Sequence, residues 1–358
     1  MQVMSYEHRG IMANLKITIL HDVWEEGPPE PEPEPVKAQR GKNGKLRKKK
    51  KDPLHDREEI FEALTKLGHE PSYYVLDGKN QSLLALAKRS TDLVFNLTES
   101  YAGDDTMDKN IVAFLELLHI PYTGGDPRAL YLAQDKAIAK KIFDFHKIKT
   151  PDFAISYKGR TDHSHDIEFP LIVKPVSEDG SIGIDNGSVV DSVKELMERI
   201  HYIHEEFDSP ALIEEYIEGR EIYASILGND NPEVLPLVEL DLSKLPKGTP
   251  RIAGQDVKFD HETEAYKVTK SAPAENIDEE TTKNLCDTAL AVYRALKLRD
   301  YGRIDMRLNK KGEAYVIEAN PNPWLASAAE FNMAAKKAGY SYTEMIDKIV
   351  ELARARTV

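Results

Sequence analysis

The residues with the most chemistry lie between Tyr301 and Asn320, in the segment YGRIDMRLNKKGEAYVIEAN. Asn309-Lys310-Lys311-Gly312 supplies the residue types of a tight connection, so the segment reads as a β-hairpin. A turn symmetric about Lys310 and Lys311 pairs Arg303 with Glu318 and Asp305 with Val316. Strand side chains alternate between faces. Arg303, Asp305, Glu318 and Asn320 then project from one face, and Ile304, Met306, Tyr315 and Ile317 from the other, where they can be core. Two carboxylates and an amide oxygen beside an arginine must have their like charges compensated. Hard oxygen donors of this kind suit Mg²⁺ holding substrate phosphates. The same pattern also suits a solvated hairpin face with an Arg303–Glu318 cross-strand pair.

A second cluster is FPLIVKPVSEDGSIGI, residues 169–184. Lys174 ends an apolar strand, and Ser177, Gly180, Ser181 and Gly183 follow it closely. Glycine lets backbone N–H groups approach phosphate oxygens, and lysine adds a point charge. The loop lacks the GxxxxGK[ST] spacing of a Walker A motif. By itself it reads equally as a strand followed by an ordinary turn. The third cluster is LIEEYIEGREIYASIL, residues 212–227. Glu214 and Glu215 end one strand and Glu221 opens the next. Such a crossover can offer backbone groups to an adenine edge and a carboxylate to ribose hydroxyls, or can be a plain charged connection.

These residues need elements to hold them. Apolar periodicity predicts a strand at 15–20, a helix at 57–67 ended by Gly68, and a strand at 73–76. A helix near 81–89, a strand at 92–97 and a helix at 108–119 complete the alternation of a small doubly wound parallel sheet. Then follow a helix at 134–147 broken by Thr150-Pro151, strands at 152–157 and 170–174, and a helix at 191–206. Strands from 211, at 221–227 and at 234–240, a long helix at 280–297, the hairpin, a loop and a helix at 342–355 indicate α+β organisation. Residues 25–52 run from alternating Pro and Glu into Arg47–Lys51 and its basic surroundings, and read as a solvated insertion. Its place after the first strand, at the edge where open sheets bind ligands, raises a substrate-gating role.

Composition sets the outer limits. The chain has 358 residues, is 41% hydrophobic and 30% charged, and carries a net charge of -13. That length allows two or three domains of ~100–200 residues. Its apolar content excludes wholesale disorder. No run of ~18 apolar residues offers a membrane span, and the secretory-signal pattern is missing, which makes the expected location cytoplasmic. One cysteine, Cys286, excludes an intramolecular disulfide framework. The acidic balance and the lack of aromatics in the basic run argue against nucleic acid as a partner.

The order of the three clusters is more specific than any one of them. Lysine with a small-residue loop, an E-E-x-x-E-G-x-E crossover and a D-x(12)-E-x-N hairpin together resemble the ATP-grasp superfamily, and within it the D-alanine–D-alanine ligases. The likeness covers roughly residues 53–335 plus the first strand, and includes IPYTGGDPRALYLAQDK at 120–136. It implies an N-terminal doubly wound parallel-sheet domain and two α+β subdomains clasping ATP. The corresponding boundaries are a tail and first strand at 1–24, the insertion at 25–52, an α/β domain at 53–130, and subdomains at 131–210 and 211–358.

By the same resemblance, Lys136 and Lys174 bind phosphates, and Ser181 and Gly183 belong to the loop that closes over them. Glu214 lies near the adenine amino group, Tyr216 and Ile217 form the hinge whose backbone reads the ring, and Glu221 takes the ribose. Asp305, Glu318 and Asn320 hold two Mg²⁺ ions, for which Mn²⁺ can substitute, and Arg303 stabilises charge at the reacting centre, with Lys174 assisting. The implied reaction joins a carboxylate to an amine through an acylphosphate, and a homodimer is the implied assembly.

The departures fall on the amino-acid side. His21-Asp22-Val23-Trp24 replaces a glycine-rich segment, and Glu99 to Thr106 (ESYAGDDT) places Glu99 where a histidine is expected. Pro321-Asn322-Pro323-Trp324-Leu325 replaces a small Ser/Gly-rich stretch. Ala329 sits near the place of a carboxylate-binding serine, which Ser327 can replace from another register. Glu99, Asp104 and Ser327 are therefore the substrate candidates, with Glu99 and Asp104 suited to an amine-bearing partner or to capping the next helix. Three readings remain open: a ligase for other amino acids, the D-alanine–D-alanine ligase itself, and a catalytically silent ATP-binding module that recruits partners.

Overall fold

The computed structural model describes residues 14–23, 56–159, 167–178, 180–258 and 263–356. The expected insertion at 25–52, with its basic run, lies outside the described residues. Three sheets follow one another along the chain.

The first sheet has Lys16–Asp22 at its centre, paired in parallel with Glu70–Leu76 on one side and Leu93–Asn96 on the other. Ile17 and Ile19 are buried on one face, against Ile60 and Leu64 of the helix Asp56–Lys66. Leu20 and Val94 pack on the other, against Ile111 and Leu115 of the helix Asp108–Leu117. Burial on both faces is what a parallel sheet covered by crossover helices requires. The expected α/β unit is therefore present.

The second sheet is antiparallel: Phe153–Ser156, Ala211–Glu215, Leu171–Pro175 and Val189–Val190 lie in that spatial order. The helix Val193–Glu206 covers it through Leu196 and Ile203. The third sheet is also antiparallel and runs Lys270–Pro273, Val238–Asp241, Gly219–Leu227, Tyr301–Asn309, Ala314–Asn320, with Glu233–Val234 paired to Gly219–Leu227. Helix Glu279–Ala295 packs one face through Leu285, Ala289 and Val292. Phe331 of helix Glu330–Ala338 and Met345, Ile346 and Ile349 of helix Tyr342–Ala355 lie in a second core. That core also contains Ile17, Ile60 and Leu64, so the first and third sheets share it.

Several sequence expectations need correcting. The hairpin is not symmetric: Arg303 pairs with Asn320 and Asp305 with Glu318, while Met306 pairs with Val316. Ile317 is the extra residue of a β-bulge. Val316 therefore enters the core opposite Met306, whereas Ile317 lines the cleft and Tyr315 lies under the ammonium of Lys149. The helix expected at 134–147 is present as Lys136–Phe145, and a separate helix, Pro127–Gln134, precedes it. Asp135 divides them because its carboxylate caps Lys136–Phe145, accepting from Ile138 N at 2.9 Å. The strand expected at 234–240 is broken between Val234 and Val238, the stretch that holds Pro236. The loop expected after the hairpin contains Glu330–Ala338, a helix whose Phe331, Ala334 and Ala335 are buried and which Gly339 ends at φ 102°.

Candidate functional site

The second sheet ends at Glu215 and the third begins at Gly219. Residues 216–218 are the only chain between them there, so the crossover forms one wall of the cleft that separates the sheets. The cleft encloses about 610 Å³ of non-atom space, part of it open solvent. Lys174 and Glu214 reach it from the second sheet, Tyr216 and Ile217 from the crossover, and Glu221, Asp305 and Glu318 from the third. Ser181, from a loop, and Lys258, at the end of the short helix Gln255–Lys258, also line it.

Glu214 is buried between two lysines. Lys174 Nζ lies 2.5 Å from Oε2, and Lys140 contacts Oε1. Burial pushes the Glu214 carboxyl up, but the two ammonium groups outweigh it and hold it below the ordinary range. Lys140 was not singled out from the sequence. Its available signal was position: it stands one helical turn after Lys136, on the same face of Lys136–Phe145.

At the far end of the cleft, Asp305 and Glu318 face each other across the hairpin. Arg303 holds Asp305 through two hydrogen bonds, Nε to Oδ1 at 2.7 Å and Nη2 to Oδ2 at 2.8 Å. Burial, with the Glu318 charge beside it, still pushes the Asp305 carboxyl up. Burial acts on Glu318 in the same sense, but Lys136, Lys258 and Lys174 reverse it and hold that carboxyl down. Lys136 Nζ is 3.9 Å from Glu318 Oε2, and it also donates to the Glu178 carbonyl. Asn320 is on the same face, and its amide nitrogen is buried with no hydrogen-bond partner among the described residues.

Directly opposed like charges destabilise a sheet unless a cation joins them. Two carboxylates and an amide provide an oxygen donor set that fits a hard divalent ion. Among the described residues no cluster of three or more His, Cys, Asp and Glu exists, so the amide is needed to complete a set of three.

The remaining site candidates occupy varied places. Glu221 is bonded by Arg307 Nη1 at 2.7 Å, and Arg307 also donates to the Ile217 carbonyl at 3.2 Å and the Arg251 carbonyl at 2.6 Å. One arginine thus fixes the Glu221 carboxylate and the crossover together. Alternation from Arg303 and Asp305 places Arg307 on their face, a signal the sequence reading left unused. The Tyr216 hydroxyl accepts from Arg251 N at 3.0 Å. Ser181 has φ 64° and donates to the Ala253 carbonyl at 2.7 Å, tying its loop to the third sheet's side of the cleft. Gly183 has φ 71°, and a Cβ there would meet Pro175 at 2.7 Å. Its place is under the loop, packed on the strand end, and it does not line the cleft.

The three substrate candidates do not converge. Asp104 caps a short turn, accepting from Thr106 N at 2.8 Å and Thr106 Oγ1 at 2.6 Å. Glu99 is exposed just beyond the strand Leu93–Asn96. Ser327 donates its N–H and its hydroxyl to the Glu59 carboxylate, both at 2.7 Å. Glu330, which carried no expectation, lies beside Arg303 with Oε2 3.7 Å from Nη1.

The family model described as D-ala D-ala ligase C-terminus matches residues 136–351. The chain is 33% identical over 305 residues to the uncharacterized protein y4sG of Sinorhizobium fredii, covering 83% of this chain and 87% of that protein. It is 31% identical over 318 residues to a D-alanine–D-alanine ligase of Carboxydothermus hydrogenoformans, covering 86% of this chain and 96% of the ligase. The fold is similar to a crystal structure of D-alanine–D-alanine ligase from Bacillus anthracis, with a TM-score of 0.72, 26% identity, and coverage of 96% of this chain and 99% of that one.

Proposed function

This chain belongs to the D-alanine–D-alanine ligase family, and from that premise we propose that it is an ATP- and Mg²⁺-dependent ligase joining a small carboxylic acid, in the first instance an amino acid, to an amine. The observation that carries the reading is convergence. Lys174, Glu221, Asp305 and Glu318 come from two sheets and line one cleft. A sheet with opposed carboxylates, Asp305 buried and Glu318 partly so, is costly for structure alone, and the surrounding lysines are placed for an anion between them.

In this reading Lys136, Lys174 and Lys258 meet the phosphates, and the loop of Ser181 closes over them. The crossover at Tyr216 and Ile217 borders the adenine, with Glu214 near its amino group, and Glu221, steadied by Arg307, reaches the ribose. Asp305, Glu318 and Asn320 hold the metal, whose chemistry is to neutralise charge on the transferring phosphoryl group. The substrate carboxylate attacks the γ-phosphorus, giving an acylphosphate and ADP. The amine then attacks the acyl carbon and expels phosphate. Arg303 stabilises the charge that develops there, and exclusion of water protects the acylphosphate. Such a reaction consumes ATP, which is why we place the protein in the cytoplasm. Among the described residues no helix is long and apolar enough to cross a membrane.

The test is phosphate release from ATP with Mg²⁺ against D- and L-amino acids, singly and in pairs, for the wild type and Glu318→Gln. Release that depends on an acid–amine pair and falls at least ~100-fold in the variant supports the reading. Release that requires D-alanine narrows the substrates to those of the family's namesake. Tight ATP binding with no turnover across the panel, unaffected by Glu318→Gln, would instead favour a binding module.

A further inference from the structure

Glu330 is a partly buried carboxylate with no part in the site as described so far. It opens the helix Glu330–Ala338, and an acid in a first helical turn is ordinary. Its surroundings are not. Ser271 Oγ donates to Oε1 at 2.9 Å, which fixes the side chain from the strand Lys270–Pro273. Oε2 faces Nη1 of Arg303 at 3.7 Å, close enough for attraction but beyond a hydrogen bond. Arg303 is meanwhile committed to Asp305 through Nε and Nη2, with its guanidinium stacked 4.7 Å from the Tyr223 ring centre. Two carboxylates thus compete for one guanidinium, and one of them, Asp305, is the proposed metal ligand. A guanidinium bonded to both Asp305 oxygens occupies lone pairs and offsets charge that a metal ion there would draw on.

We propose that Glu330 is a positioning residue, the second seat of Arg303. When a divalent cation takes Asp305, the guanidinium swings the short distance to Glu330, stays over the Tyr223 ring, and frees both Asp305 oxygens. Without Glu330, leaving Asp305 would strand a buried guanidinium, a cost that metal binding would have to meet. The fixed bond from Ser271 keeps the seat in place, and the aromatic ring gives the guanidinium a surface common to both positions. This inference rests on the metal assignment of the proposed function.

The experiment is Mn²⁺ binding to the full chain, read from the electron paramagnetic resonance signal of free Mn²⁺, with a non-hydrolysable ATP analogue present. Four proteins make a cycle: wild type, Glu330→Gln, Arg303→Ala and the double variant. The expected result is at least fivefold weaker Mn²⁺ binding in Glu330→Gln, and less than a twofold effect of the same change on the Arg303→Ala background. Unfolding midpoints of all four establish that each is folded, and Glu330→Asp, which keeps the charge, should recover part of the affinity. Equal losses on both backgrounds would mean that Glu330 acts only as a nearby negative charge, and would overturn the proposal. So would an unchanged affinity in Glu330→Gln. A wild type that binds no Mn²⁺ would sink the metal assignment first, and that outcome is distinct from the other two.

Discussion

Lys140 shows how much one side chain can owe to its neighbours. It is 1% exposed, bonds Thr150 Oγ1 at 2.5 Å and shares Glu214 with Lys174. Burial, opposed by Glu214 and reinforced by the Lys174 charge, pulls its pKa from 10.5 down to about 8. A lysine depressed in this way gives up its proton in the fold while the unfolded chain still holds it. Between pH 8 and 10.5 the unfolded state therefore binds more protons, and the contribution to stability rises with pH. Urea unfolding of wild type and Lys140→Met across that window should show the slope in the first and its loss in the second. At neutral pH Lys140→Met should lie within about 2 kcal/mol of wild type, because a neutral Lys174–Glu214 pair remains. Glu214→Gln leaves two buried ammonium groups on a neutral amide and should cost about 3–5 kcal/mol. Equal costs for the two variants would contradict the triad described here.

At the scale of elements, the crossover and the hairpin are set by close approach. Gly219 opens its strand opposite Asn309, and a Cβ there would lie 2.2 Å from the Leu308 carbonyl oxygen. A backbone oxygen in a sheet cannot step aside as a side chain can. Gly219→Ala should therefore cost on the order of 2–3 kcal/mol. It should also weaken binding of an ATP analogue, since Glu221 and Arg307 sit on the next rungs of the same ladder. Calorimetric titration together with unfolding would separate the two effects, and unchanged values for both would remove the steric argument. The bulge at Ile317 is the second such device. It lets Val316 stay in the core while Glu318 lines the cleft and Asn320 keeps to the face of Glu318.

The whole molecule is tied together away from the cleft. Asp300, fully buried, accepts from Gly124 N at 2.8 Å and from Arg356 Nε and Nη2 at 2.8 and 2.7 Å. Its own N–H donates to Asn229 Oδ1 at 2.7 Å, and Arg356 continues to the Tyr122 carbonyl at 2.7 Å. Segments after the first sheet, within the third sheet's connections and at the end of the last helix thus meet at one carboxylate. Asn tolerates the left-handed φ of 61° at this position as Asp does, so Asp300→Asn tests the charge alone. A loss of about 3–5 kcal/mol in urea unfolding is expected. A loss below about 1 kcal/mol would show that the shared core of the first and third sheets holds them without this tie.

What the sequence determined by itself was local and periodic. Alternation put Arg303, Asp305, Glu318 and Asn320 on one face, apolar spacing located most helices and strands, and the order of three short motifs carried the family. Tertiary structure decided what depends on chain-distant neighbours. The bulge at Ile317 put Val316 in the core and Ile317 in the cleft, the reverse of simple alternation, because one extra residue inverts a period of two. Lys140 gained its carboxylate partner only when Glu214 was brought to it from 74 positions along the chain. Asp104 took the local capping role that the sequence also allowed, whereas Ser327 found Glu59 and Glu330 found Arg303 through distances that no spacing rule contains. Charge and hydrogen bonding act through a few ångströms of space, so which acid meets which base is settled by the packing of sheets and not by the string of residues.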